Sequence, residues 1–250
     1  MRLFSFLMLM LWSGFATGQE REMYTPDFTF KDGIYLSFDD FKNDNPVPLT
    51  HILSDFDIRA ANYLDLVLKA DSVIYYDNHF EERAAATISV WGYAKGGKPF
   101  IGHDEIENSD DWQNRGWFPL LFVGSYSYFS ALGTVIRSMG PAPGGGMNGY
   151  GGLGHGGFGN GGFYSDRTYE ETVSVQLLLD FKSGKNIQLA TGDLKSISPE
   201  LMKQLLGRDG ELLNQYEAQP FREQKQSSMF FVRRFNERNP IYFPFYESED

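Results

Sequence analysis

The sequence predicts a mainly β (α+β) fold: an antiparallel sandwich or open barrel with C-terminal helices packed on one side. Three observations carry this. Val173, Val175, Leu177, Leu179 and Phe181 stand at every second position, with Thr172, Ser174, Gln176 and Asp180 between them. That is the period of a strand with one buried face. Short runs of the same kind recur between turn residues, the spacing of antiparallel sandwiches and barrels. Ser198-Pro199-Glu200 then opens a helical last part, with serine as N-cap and proline in the first turn.

Taken in chain order, Leu64–Leu68 and Ser72–Tyr76 flank Ala70-Asp71 and read as a hairpin. Ile88–Tyr93 leads through Lys95-Gly96-Gly97-Lys98 into Pro99-Phe100-Ile101, a second hairpin. Trp117–Val123 and Tyr126–Leu132 are aromatic-rich runs around Gly124-Ser125. The 172–181 strand turns at Lys182–Asn186, and Ile187 and Leu189 restart the alternation. After Ser198 come three helical stretches. Leu201, Leu205 and Leu206 stripe the first, which Gly207 ends. Asp209 caps a second with Leu212, Leu213 and Tyr216. Phe221, Met229, Val232 and Phe235 mark the third. Asn239-Pro240 stops it, and Ile241–Pro244 reads as an extended tail docked on the body.

Residues 1–18 read as a signal peptide. Arg2 is followed by an apolar run from Leu3 to Trp12, and Ala16-Thr17-Gly18 fits a cleavage site before Gln19. The run is short of the about 20 residues that span a bilayer. No cysteine follows it, so there is no lipobox, and a secreted or periplasmic address is expected. Residues 19–250 read as a single β-rich domain, helical from about 198, with a glycine-rich loop at 139–165. Thirteen of the 23 residues from Gly140 to Gly162 are glycine, too little apolar surface to offset chain entropy. The chain has no cysteine, so burial alone must hold the fold. A net charge of -11 argues against nucleic acid and anionic lipid as partners.

Motif by motif, no familiar local signature stands, although a triad or carboxylate pair assembled in space leaves no such signature. Gly149-x-Gly151-x-x-Gly154 matches a dinucleotide fingerprint only because glycine is dense there; no strand-to-helix context surrounds it. Gly92-x-x-x-x-Gly97-Lys98 resembles a phosphate loop until Pro99, which removes both the hydroxyl and a backbone donor. There is no Gly-x-Ser-x-Gly elbow and no HExxH pair, and the histidines are scattered at 51, 79, 103 and 155. No cofactor is expected.

Two clusters remain as candidates. His103, Asp104, Glu105, Glu107, Asp110 and Asp111 crowd imidazole and carboxylates that suit a hard cation, or form a solvated acidic loop. Trp91, Tyr93, Trp112 and Trp117, with Tyr126 and Tyr128 beyond them, offer large rigid faces for a glycan or peptide, or else fill the core. The reading that follows is an exported envelope protein that binds a glycan or an envelope protein and has no catalytic machinery. The alternative is a hydrolase acting on glycans through spatially assembled carboxylates, with His103 or His79.

Three windows carry a resemblance. They are Gly33–Phe41 (GIYLSFDDF), Val90–Tyr93 (VWGY) and Arg233–Pro244 (RRFNERNPIYFP). Together they resemble a group of uncharacterised secreted proteins of Bacteroidetes-type bacteria. The resemblance implies an envelope address and a β-plus-terminal-helix layout. It brings no activity, ligand or catalytic residue with it.

Overall fold

The computed structural model of the protein describes residues 20–102, 116–138, 168–191 and 197–245. The expected signal peptide and the glycine-rich segment fall outside the described residues. In chain order the elements are β1 (Arg21–Met23), β2 (Gly33–Tyr35), α1 (Phe38–Lys42), β3 (Val47–Pro48), β4 (Ile52–Leu53), α2 (Tyr63–Val67), β5 (Ser72–Tyr76), β6 (Glu82–Ala86), β7 (Gly92–Lys95) and β8 (Lys98–Gly102). They continue with β9 (Trp117–Phe122), β10 (Tyr126–Ser138), β11 (Thr168–Asp180), β12 (Lys185–Thr191), α3 (Pro199–Leu206), α4 (Gly210–Glu217), α5 (Phe221–Arg238) and β13 (Tyr242–Pro244).

The fold is mainly antiparallel β, as its sequence predicts. Eight strands form one sheet in the order β12-β11-β10-β9-β8-β7-β2-β3, open at both edges. From β7 to β12 it is a meander, each strand paired with the next in sequence. Between β7 and β8, Gly96 and Gly97 both take positive φ (+58° and +71°), the two left-handed residues of a type I′ turn. After β3, which pairs with β2 at the edge of the sheet, the chain leaves it and builds a separate layer before β7, which includes α2 and the small sheet β4-β5-β6.

Strand alternation sorts the core onto two faces. Tyr35, Ala94, Ile101, Phe129, Val175, Leu177 and Leu179 point to one face. Phe30, Phe41, Phe181, Ile241 and Phe243 cover them. Their neighbours Ile34, Tyr93, Tyr126 and Leu178 point to the other. On that second face α3, α4 and α5 cover the β10–β12 end, while α2 and β4–β6 cover the β2–β7–β8 end. Each large side chain buried in these layers contributes about 1.5–3 kcal/mol.

The helical last part follows the sequence closely. Ser198 accepts from the Leu201 N–H and Asp209 from the Leu212 N–H, so both are true N-caps. Three readings need correction. Leu64–Leu68 is no strand: Tyr63, Leu64, Val67 and Leu68 are buried while Asp65 and Leu66 are not, a helical period that places them in α2. Ser72–Tyr76 pairs instead with Glu82–Ala86, through a turn at Asp77–Phe80. Ile88 and Ser89 belong to a 3₁₀ turn, Thr87–Ser89, so the following strand starts only at Gly92.

Candidate functional site

A cleft of about 670 Å³ lies where the α2 layer meets the sheet. Asp65 reaches it from α2, and Lys69 and Asp71 from the segment that follows. Ile88 comes from the 3₁₀ turn, Tyr93 from β7 and Trp117 from the start of β9. The sequence folds this way because α2 must bury Leu64 and Val67 on Tyr93 and its neighbours. That docking carries Asp65, one position along the helix, over the end of β7.

The aromatic wall is braced. Tyr93 stacks on Phe100 at 4.7 Å and 5° between planes, and Trp117 meets Tyr93 edge-on at 5.4 Å and 74°. Offset and edge-on pairs of this kind add attraction beyond their buried area. Behind Trp117 stands Gly102. A Cβ there would lie 2.9 Å from Cζ3 of the indole and 3.1 Å from the Val90 carbonyl oxygen. Only glycine lets the indole rest on β8 in this way.

The polar side is set by Asp65. Its Oδ2 accepts from the Lys95 ammonium at 2.9 Å, and its Oδ1 accepts a longer bond from the Tyr93 hydroxyl at 3.4 Å. Burial, then the Asp65 charge and this hydrogen bond, push the Tyr93 phenol far above its ordinary value. It therefore stays a protonated donor throughout the physiological range. The Lys95–Asp65 pair is half exposed and worth about 1 kcal/mol at most, so its role is orientation rather than stability.

The candidate aromatics therefore separate. Trp91 is 2% exposed and packs among Tyr35, Phe38 and Phe41 on the opposite face of the sheet, so it is core and offers no platform. Its indole nitrogen is buried with no hydrogen-bond partner among the described residues. Tyr93 is 3% exposed and forms the back wall of the cleft. Trp117 is half-buried and lines the cleft. Tyr126 is core under α5, where its ring lies 5.0 Å from Phe235. Trp112 and the acidic set His103, Asp104, Glu105, Glu107, Asp110 and Asp111 lie outside the described residues. Among the described residues, no group of three His, Cys, Asp or Glu side chains comes together to hold a metal ion. His79 sits at the β5–β6 turn, where its backbone N–H donates to Asp77, and does not line the cleft.

Sequence reasoning missed Asp65, Lys69, Asp71 and Lys95. Asp65 was hidden by the strand reading of 64–68, which makes it the polar position of an alternation. No protein-family model, curated protein or solved structure matches this chain. Among the described residues, no helix is long and apolar enough to cross a membrane.

Proposed function

We propose that the protein is an exported, non-catalytic binding protein of the bacterial envelope and that the cleft is its recognition site. One observation carries the reading. A space large enough for a small ligand is bounded by a braced aromatic wall and by a carboxylate already fixed by two donors. Ligand sites are concave, mostly pre-formed and mixed in this way. The signal-like first 18 residues and the resemblance to secreted proteins support the envelope address.

A screen tests it. Neutral oligosaccharides, short peptides and inorganic phosphate are added in turn, and the melting temperature is followed. Members of one class should stabilise the protein. Ile88→Asp, which puts a charge on the exposed rim of the cleft, should abolish the effect, and the ligand should be recovered intact. Stabilisation indifferent to Ile88→Asp would remove the cleft from the reading.

The hydrolase alternative has one observation in its favour, that Asp65 and Asp71 line the same cleft. Paired carboxylates across a sugar are the machinery of glycoside cleavage. Release of reducing ends that is lost in Asp71→Asn would establish that alternative and overturn the non-catalytic one.

A further inference from the structure

We infer that the ligand of the cleft is a neutral glycan, taken with one pyranose ring against Trp117 and its hydroxyls on Asp65. This rests on the reading of the cleft as the recognition site.

The charge of the site argues first. Asp65, Asp71 and Lys69 all line the cleft, and Lys95 is bonded to Asp65. Among the described residues, these two carboxylates and two ammonium groups leave no net charge at the lining. Such a site offers no field for a phosphate and none for a free amine. The whole chain, at -11, repels polyanions further. A neutral ligand is what remains.

The surfaces argue next. A pyranose ring is amphipathic. Its C–H face needs a rigid apolar plane, and its ring of hydroxyls needs acceptors in fixed places. Trp117 supplies the plane. Its position is set by Tyr93 at 5.4 Å and by the bare backbone at Gly102, so little side-chain freedom is left to lose on binding. Asp65 supplies the acceptors. An ionised carboxylate has about four acceptor sites, and Lys95 and Tyr93 occupy two of them. The side chain is 44% exposed, so the others stay open to a ligand hydroxyl.

The shape argues last. A peptide held by its backbone needs a free strand edge along its length. The cleft is instead walled by side chains and turns. Its lining comes from the end of α2, a 3₁₀ turn and the ends of three strands of the main sheet. That suits a compact ring better than an extended backbone.

The test is titration calorimetry of the full mature chain with cellotetraose, maltotetraose, xylotetraose and chitotetraose, with tetra-alanine and inorganic phosphate as the other arms. At least one neutral tetrasaccharide should bind. Trp117→Ala should weaken it about tenfold or more, the loss of a large aromatic contact. Asp65→Asn, a half-exposed substitution that leaves the core intact, should weaken the same sugar about tenfold, as expected when one charge-assisted acceptor is lost. Trp91→Phe, on the opposite face of the sheet, should leave the affinity unchanged. Heat flow from tetra-alanine or phosphate that disappears in Trp117→Ala would overturn the sugar and keep the cleft. Sugar binding that survives both Trp117→Ala and Asp65→Asn would overturn the placement of the ring. No response to any sugar, together with no cleft-dependent response to the other arms, would overturn the inference and the reading beneath it.

Discussion

Asp44 is buried and holds a left-handed backbone, with φ at +42°. Its carboxylate accepts from the Tyr35 hydroxyl at 2.7 Å and from the Lys31 N–H at 3.2 Å. Burial outweighs these bonds and holds its carboxyl above the ordinary carboxylate range. The folded protein thus keeps this proton to higher pH than the unfolded chain does. The stability tied to Asp44 is present below the ordinary range and falls as pH rises through the raised value. Asparagine keeps the accepting oxygen and tolerates the left-handed backbone, but cannot ionise. In urea melts, Asp44→Asn should therefore gain on the wild type as pH is raised from about 4 to about 7. Asp77 and Asp209 work in the opposite direction. Backbone N–H donors, from Glu81 and Leu212 first, hold their carboxyls below the ordinary range. Both proteins share them, so they cancel in the comparison. A difference that stays flat over this range would show that Asp44 carries no such burden. Nothing in the sequence marks Asp44, because an aspartate in Asn43-Asp44-Asn45-Pro46 reads as a surface turn. Its contacts with Tyr35, nine residues away, and with the Lys31 N–H make it an interior group.

At the level of elements, one side chain of α5 hydrogen-bonds the backbone of the sheet. Asn236 donates to the Tyr126 carbonyl at 2.9 Å and accepts from the Tyr126 N–H at 2.8 Å, so both backbone groups of a buried residue are satisfied from the helix. Asn236→Ala leaves the pair unmade inside the protein. It should cost about 2–3 kcal/mol, read as a lower urea midpoint at unchanged slope. A loss no larger than that of Asn214→Ala, on an exposed face of α4, would refute the tie. The elements also show what a sequence can and cannot disclose. The α3, α4 and α5 boundaries were legible because Ser198, Asp209, Pro220 and Pro240 punctuate them locally. The hairpins β7–β8 and β11–β12 were legible from their turn residues. By contrast, α1 escaped notice although Ser37 caps it and reaches Asp40, a capping pair only three residues apart. Strand β6 is Glu-Arg-Ala-Ala-Ala, a helix-forming composition, and is extended because β5 pairs with it. The cleft was half legible. Tyr93 and Trp117 are conspicuous by type, but Asp65 and Lys95 lie thirty residues apart and carry no motif. Only the docking of α2 makes them neighbours.

For the molecule as a whole, the prediction concerns its address. Made with its full leader in a Gram-negative host, the protein should be recovered from the periplasm with Gln19 as its first residue by intact mass. Full-length chain in the cytoplasm would defeat the export reading. One feature of the fold bears on how such a journey ends. Strand β1 pairs with β13, and the seam is extended by bonds from the Tyr24 N–H to the Ile241 carbonyl and from the Phe245 N–H to the Glu20 carbonyl. Phe243 packs its ring against all three of Tyr24, Phe28 and Phe30. A chain threaded through a pore, leading end first, therefore carries its opening strand across long before that strand has a mate. Contacts between distant parts of a chain form slowly. On the proposed export reading, the β1–β13 pairing is scheduled by arrival rather than by diffusion. On that reading the seam stays unmade, and the thread passable, until β13 is through.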